Sequence, residues 1–244
     1  MSTALSGLPG HVITAPDSAA VAAQAAKLLG QALRDAIAAR GTALLALSGG
    51  NTPRPAYELL AAQEGIDWTK VTILWIDERA VAPTHARSNY RLAKESLLDR
   101  APIPPAQVHR MLGDASDLEQ AARDYAAVLQ QHLVSANGVP VIDVAVLGIG
   151  DDGHTASLFP GEASVRVRDR TVLAIAAAPE HDREARLTVS APVLQTIRTA
   201  LVLAAGKAKH APLLRVAAEA GTLEETPSRV LRDAKGSVTW ILAV

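Results

Sequence analysis

The stretch Gly148-Ile149-Gly150-Asp151-Asp152-Gly153-His154-Thr155-Ala156-Ser157 brings two carboxylates, an imidazole and two hydroxyls into one glycine-rich segment. Three glycines in six positions let a backbone turn sharply and approach a ligand closely. An imidazole takes up and releases protons near neutral pH, so the chemistry such a set supports is general acid–base catalysis through His154. Asp152 and Asp151 stand within three residues of it. Zinc fits poorly, because there is no pair of histidines on one helical turn and no cysteine anywhere in the chain. A serine nucleophile fits poorly too, since no Gly-x-Ser-x-Gly elbow is present, and Ser157 reads as support for a helix start.

Other residues with chemistry of their own sit where apolar runs end. Ser48-Gly49-Gly50-Asn51-Thr52-Pro53 reads as an anion-binding turn. Its glycines bare backbone N–H groups, the helix start behind it adds partial positive charge, and the Ser48 and Thr52 hydroxyls can donate to phosphate oxygens. It is not a nucleotide P-loop, because the Gly-x-x-x-x-Gly-Lys-Ser/Thr spacing is absent. Asp77-Glu78-Arg79 follows another apolar run, and Arg79 can grip phosphate or carboxylate in a bidentate manner. Arg186 opens a further run, and Lys207 follows one after Gly206. Taken singly, each is also explained by a plain turn, a solvated ion pair or a solvated cation. Ser88 or Asn89 caps a helix, and that role alone accounts for both.

The elements that must position these residues are legible as a pattern. Helical spacing of Val21, Ala25, Leu28, Leu29, Leu33 and Ile37 predicts a helix capped by Asp17 or Ser18 and ended by Gly41. Short apolar runs at 43–47, 71–76, 141–147, 171–176, 186–190, 200–204 and 237–243 predict strands. Helices are expected over 54–63, 89–98, 117–133 and 209–220, with a proline-rich connector at 101–105. Strands alternating with helices imply a three-layer, Rossmann-like α/β fold, a mostly parallel sheet covered by helices on both faces. In such sheets ligands bind outside the carboxyl ends of the strands, where all the residues above would gather. No repeat or linker divides the chain, so one domain over residues 1–244 is expected.

Composition narrows the class. The chain has 244 residues, 49% of them hydrophobic, which is enough to bury a large core without staples. Lys plus Arg number 24 against 25 Asp plus Glu, so no general positive field exists to hold a nucleic acid. No apolar run reaches the roughly 20 residues of a membrane span, and the first residues lack the basic and apolar regions of a signal peptide. A cytoplasmic protein without nucleic-acid or membrane partners is expected. The sequence does not specify an oligomeric state.

Together the blocks LALSGGNTP at 45–53, WIDER at 75–79 with Ser88-Asn89, VLGIGDDGHTASLFPG at 146–161, RLT at 186–188 and GKAK at 206–209 resemble the 6-phosphogluconolactonases of the glucosamine-6-phosphate deaminase/isomerase superfamily. They run in the family's order and span most of the chain from residue 45 onward. The resemblance implies a metal-free, cofactor-free hydrolase of the pentose phosphate pathway acting on a phosphosugar lactone. It places Arg79 and Lys207 in the active site, on the phosphate or the developing oxyanion. It also implies that His154 activates water, with Asp152 or Asp77 orienting its imidazole. Related deaminases carry a glutamate where Phe159 stands, and amino-sugar isomerisation needs the extra proton transfers such a group supplies. The alternatives are that deaminase chemistry and a non-catalytic phosphosugar sensor. A sensor would carry a DNA-binding segment, and the first 40 residues read as a single amphipathic helix.

Overall fold

Asp17 is extended and accepts a hydrogen bond from the Ala20 N–H at 2.8 Å, so helix α1 runs over Ser18–Arg40 as predicted. Gly41, at φ 82°, ends it by donating to the Ile37 carbonyl. The structure, a computed structural model, describes residues 5–132 and 137–244. Besides α1 it contains helices α2 (Pro53–Ala61), α3 (Asn89–Ala93), α4 (Leu118–His132), α5 (Ala191–Gln195) and α6 (His210–Ala217). A π-helical turn over Lys94–Leu98 continues α3, so the predicted 89–98 helix exists with a change of winding. The predicted end of α4 at Leu133 lies outside the described residues.

The strands are β1 (His11–Thr14), β2 (Ala43–Leu47), β3 (Val71–Trp75), β4 (Asp77–Arg79), β5 (Val144–Gly148), β6 (Val172–Ile175), β7 (Arg186–Val189), β8 (Thr199–Ala205) and β9 (Ser237–Ala243). Six of them form a wholly parallel sheet in the order β1-β9-β8-β5-β2-β3. Its inner strands are near-continuous apolar runs because both faces are covered. Helix α1 packs on β8, β9 and α2. The α/β class and mostly parallel sheet are therefore as expected.

Four predictions need correction. Residues before α1 are not helical alone, since β1 pairs with β9 at the sheet edge. The runs near 172–175 and 186–189 do not join the parallel sheet. They form a separate antiparallel sheet, β4-β7-β6, against which α4 packs. Asp77-Glu78-Arg79 is its third strand rather than a loop. Finally, the Gly148–Ser157 turn does not hand over to a helix; it leads through a tight turn to a short 3₁₀ segment at Ala163–Arg166.

Ile76 joins the two sheets. Its N–H donates to Leu47 of the large sheet, and its carbonyl accepts from Val189 of the small one. The main chain of one residue thus sets β4 beside the carboxyl ends of β2 and β5.

Candidate active site

The carboxyl ends of β2 and β5 and the small sheet enclose a cavity of about 610 Å³. Ser48, Gly49, Gly50, Asn51, Thr52, Asp77, Arg79, Asp152, His154 and Arg186 all line it. The site residues expected from the sequence therefore converge, with one exception. Lys207 is exposed and does not border the cavity; Lys209 does, ion-paired to Asp151 at 2.6 Å. A 3₁₀ turn over Lys207–Lys209 follows Gly206, and this winding presents the second lysine to the cavity.

The turn after β2 is held stiffly. Tyr57 hydroxyl donates to the Ser48 carbonyl and accepts from the Ser48 N–H, at 2.9 and 3.1 Å. Burial pushes the Tyr57 phenol up, so it stays protonated for this double duty. Gly49 has no space for a side chain, because a Cβ there would lie 1.7 Å from Asn89 Oδ1. Gly50 adopts φ 101°, a conformation that L side chains rarely take. Ser48 differs from expectation: its hydroxyl donates to the Val146 carbonyl at 2.5 Å, so its proton ties β2 to β5 and does not point at a ligand. Thr52 makes no capping bond at the start of α2, which leaves its hydroxyl for the cavity it lines.

His154 and Asp152 form a local pair. Asp152 Oδ1 lies 2.7 Å from His154 Nδ1 and also accepts the His154 N–H at 2.9 Å. Partial burial works to raise the Asp152 carboxyl, but the bonds from His154 prevail and hold it down at about 2. Asp152 is thus an anion at neutral pH and can only accept. Nδ1 must then carry the proton, and Nε2 of the neutral ring is left basic. Gly150 makes room for the pair, since a Cβ there would sit 2.1 Å from Nδ1 and 2.6 Å from the Asp152 oxygen. Of the two carboxylates expected beside His154, the structure pairs Asp152 with it.

Asp77 has other partners. It accepts from Ser157 Oγ at 2.7 Å and Asn89 Nδ2 at 3.1 Å, and Arg186 Nη1 lies 3.7 Å away. Ser157 is therefore a tether rather than a helix support. Asn89, expected only as a cap, lines the cavity, while Ser88 performs the capping by accepting from the Arg91 N–H. Glu78 turns away and accepts from the Arg79, Asn89 and Tyr90 N–H groups and from Ser88 Oγ. Burial nonetheless raises its carboxyl.

The cationic wall has an energetic peculiarity. Arg79 and Arg186 stand directly opposite each other on adjacent antiparallel strands. Like charges in that register are destabilising unless something neutralises them. Each guanidinium also has a buried Nε with no protein partner. Asp77 lies 3.7 Å from Arg186 Nη1 and offsets part of that charge, Arg79 Nη1 donates to the Arg87 carbonyl, and both arginines border the cavity, where guanidinium groups suit an anion. Among the described residues no group of three or more His, Asp or Glu could hold a metal ion, and no helix is long and apolar enough to cross a membrane.

A parallel sheet with an Asp152–His154 pair and two opposed arginines at a cavity on its carboxyl rim defines an α/β protein with a polar site at the strand ends. The family described as glucosamine-6-phosphate isomerases/6-phosphogluconolactonase matches residues 16–240, and the chain belongs to it. The chain is 39% identical over 208 residues to a 6-phosphogluconolactonase of Synechocystis sp., covering 85% of this chain and 84% of that protein. It is 36% identical over 228 residues to a 6-phosphogluconolactonase of Nostoc sp., covering 93% and 92%. The solved 6-phosphogluconolactonase from Trypanosoma brucei superposes with a TM-score of 0.86 at 25% identity, covering 97% of each chain.

Proposed function

We propose that the protein hydrolyses 6-phospho-D-glucono-1,5-lactone to 6-phospho-D-gluconate in the oxidative pentose phosphate pathway, with His154 as the base that activates water. The relatives named 6-phosphogluconolactonase support the reaction. The observation that carries the mechanism is the Asp152–His154 pair, which leaves Nε2 as the basic nitrogen of a histidine that lines the same cavity as Arg79 and Arg186.

The phosphate is held by the Gly49–Thr52 turn, the start of α2, and the cations Arg79, Arg186 and Lys209. A water molecule attacks C1 as Nε2 takes its proton, forming a tetrahedral oxyanion. The imidazolium, steadied by Asp152, then protonates the ring oxygen as the C1–O bond breaks. The lactone is an activated ester, so one shuttling base suffices and no covalent enzyme intermediate is needed.

Phe159 favours this reading over amino-sugar deamination. Its ring lies 4.7 Å from the imidazole and, unlike the glutamate of the related deaminases at that position, carries no group for further proton transfers. The deciding experiment measures turnover of freshly generated lactone, corrected for spontaneous hydrolysis, beside ammonia release from glucosamine 6-phosphate. Lactone turnover without ammonia is the expected result; ammonia release would make the protein a deaminase.

A further inference from the structure

A single hydrogen bond at Nδ1 fixes where that atom sits but not the plane of the imidazole. A base must also be aimed, because a displacement of about 1 Å at a reacting group costs roughly 100-fold in rate. Something other than Asp152 must therefore set the ring. The contact that does so comes from five residues downstream.

Between Thr155 and Leu158 the chain reverses: the Leu158 N–H donates to the Thr155 carbonyl at 3.0 Å, and Ala156 adopts φ 52° to close the turn. This brings Phe159 back against His154, with ring centroids 4.7 Å apart and planes tilted by 48°. That distance lies within the range in which tilted aromatic pairs attract. Phe159 is itself buried, so its ring has little freedom to yield.

A second contact holds Phe159. The Arg183 guanidinium carbon lies 3.8 Å from the Phe159 centroid, a close cation–π stack. Arg183 is ion-paired with Glu162, and its main chain exchanges hydrogen bonds with Ala178 at the base of its loop. Its side chain is 11% exposed, far less than an arginine with only solvent to meet.

We propose that Phe159 is a positioning residue for His154, and that Arg183, clamped by Glu162, holds the Phe159 ring where it sets the plane of the imidazole. Asp152 and Phe159 then define the base together, one through a nitrogen and the other through a face. The proposal rests on the reading of His154 as the base.

The test uses Phe159→Leu, Phe159→Tyr and Arg183→Met, each checked for folding by thermal melting. Phe159→Leu is expected to lower kcat by roughly 10- to 100-fold while KM stays within about threefold. Phe159→Tyr restores an aromatic face and should recover most of kcat. Arg183→Met keeps the stem's bulk without the charge and should lower kcat by about 3- to 10-fold at unchanged KM. The His154 Hε1 resonance, shifted in the native protein by the Phe159 ring current, should move in Phe159→Leu whatever the activity. Wild-type kcat in folded Phe159→Leu, or an unmoved Hε1 resonance, would overturn the proposal. Should Phe159→Leu fail to fold, Arg183→Met decides: an unchanged kcat overturns the proposal and a kcat loss at constant KM supports it. Full turnover by His154→Ala would instead overturn the underlying reading, which keeps the two failures apart.

Discussion

The hydroxyl of Ser157 donates to the carboxylate of Asp77 at 2.7 Å, fastening the turn that carries His154 to strand β4. The Ser157 N–H is held by Thr188 Oγ1 at 3.1 Å, and Thr188 faces Asp77 directly across the ladder. Ser157 is completely buried, so both bonds are made away from solvent. The His154 turn and the strands that carry Arg79 and Arg186 are thereby tied into one hydrogen-bonded assembly.

Replacing Ser157 by Ala leaves a buried carboxylate one donor short. A hydrogen bond to a charged group contributes about 1.5–3 kcal/mol, and Ser157→Ala should lose stability of that order in a denaturant titration. Its kcat should fall less than that of His154→Ala. Unchanged stability would mean that Asp77 does not depend on this donor.

His154→Ala removes the base but none of the anion contacts. We expect kcat to fall by roughly 10²–10⁴-fold with KM nearly unchanged, measured against the spontaneous rate. A comparable loss in KM would place His154 in binding instead.

Gly150→Ala tests the fit around the pair without replacing either partner. The added Cβ falls 2.1 Å from Nδ1, so the ring must move. The variant should fold and bind inorganic phosphate like the native protein, yet turn over at least about 10-fold more slowly. Native kcat would show that the imidazole position is not critical.

Asp152→Asn introduces an amide that can donate to Nδ1 and favour the wrong tautomer, so kcat should drop by roughly 10²–10⁴-fold. The native pair also carries a signature in stability. The Asp152 carboxyl is held below its ordinary 3.8, at about 2, so its contribution is complete above pH 3.8 and is lost as pH falls through about 2. Unfolding measured between pH 4 and 2 should show a smaller acid destabilisation in Asp152→Asn than in the native protein. Parallel curves would separate Asp152 from acid stability.

Arg79→Ala removes one of two opposed charges. If it holds phosphate, KM should rise by roughly 10- to 100-fold with kcat little changed. Inorganic phosphate should raise the native Tm by ligand linkage and raise that of the variant less. A loss confined to kcat would assign Arg79 to the oxyanion.

How far the sequence disclosed this site follows from the range of each signal. Helix α1 and its ends were readable because Asp17, Gly41 and the apolar stripe all act within a few residues. Strands β2 and β5 were readable as buried apolar runs. Strand β4 was not, because three charged residues have no periodicity and their partners lie at 186–188, more than a hundred residues away. Lysine placement failed by two positions, since only the winding of the 3₁₀ turn decides between Lys207 and Lys209. Asn89 was passed over because helix capping already explained its type. Its contact with Asp77 depends on the same non-local strand. The Asp152–His154 contact lay within one loop, yet the sequence left Asp152 and Asp77 as alternatives; the choice between them depended on where the fold placed Asp77, tied to Ser157 and Asn89 instead.

Strands β2 and β5 are hydrogen-bonded neighbours, Leu45 facing Val144 and Ala46 facing Ala145. One releases the Ser48–Pro53 turn and the other the turn that bears His154. Adjacent strands lie about 4.8 Å apart, a spacing set by main-chain bonds that no side chain can alter. The sheet therefore acts as a gauge: it fixes the separation of the two points from which these turns depart. Replacing a side chain in either turn leaves that separation unchanged; only a slip of the β2–β5 register would move one turn relative to the other.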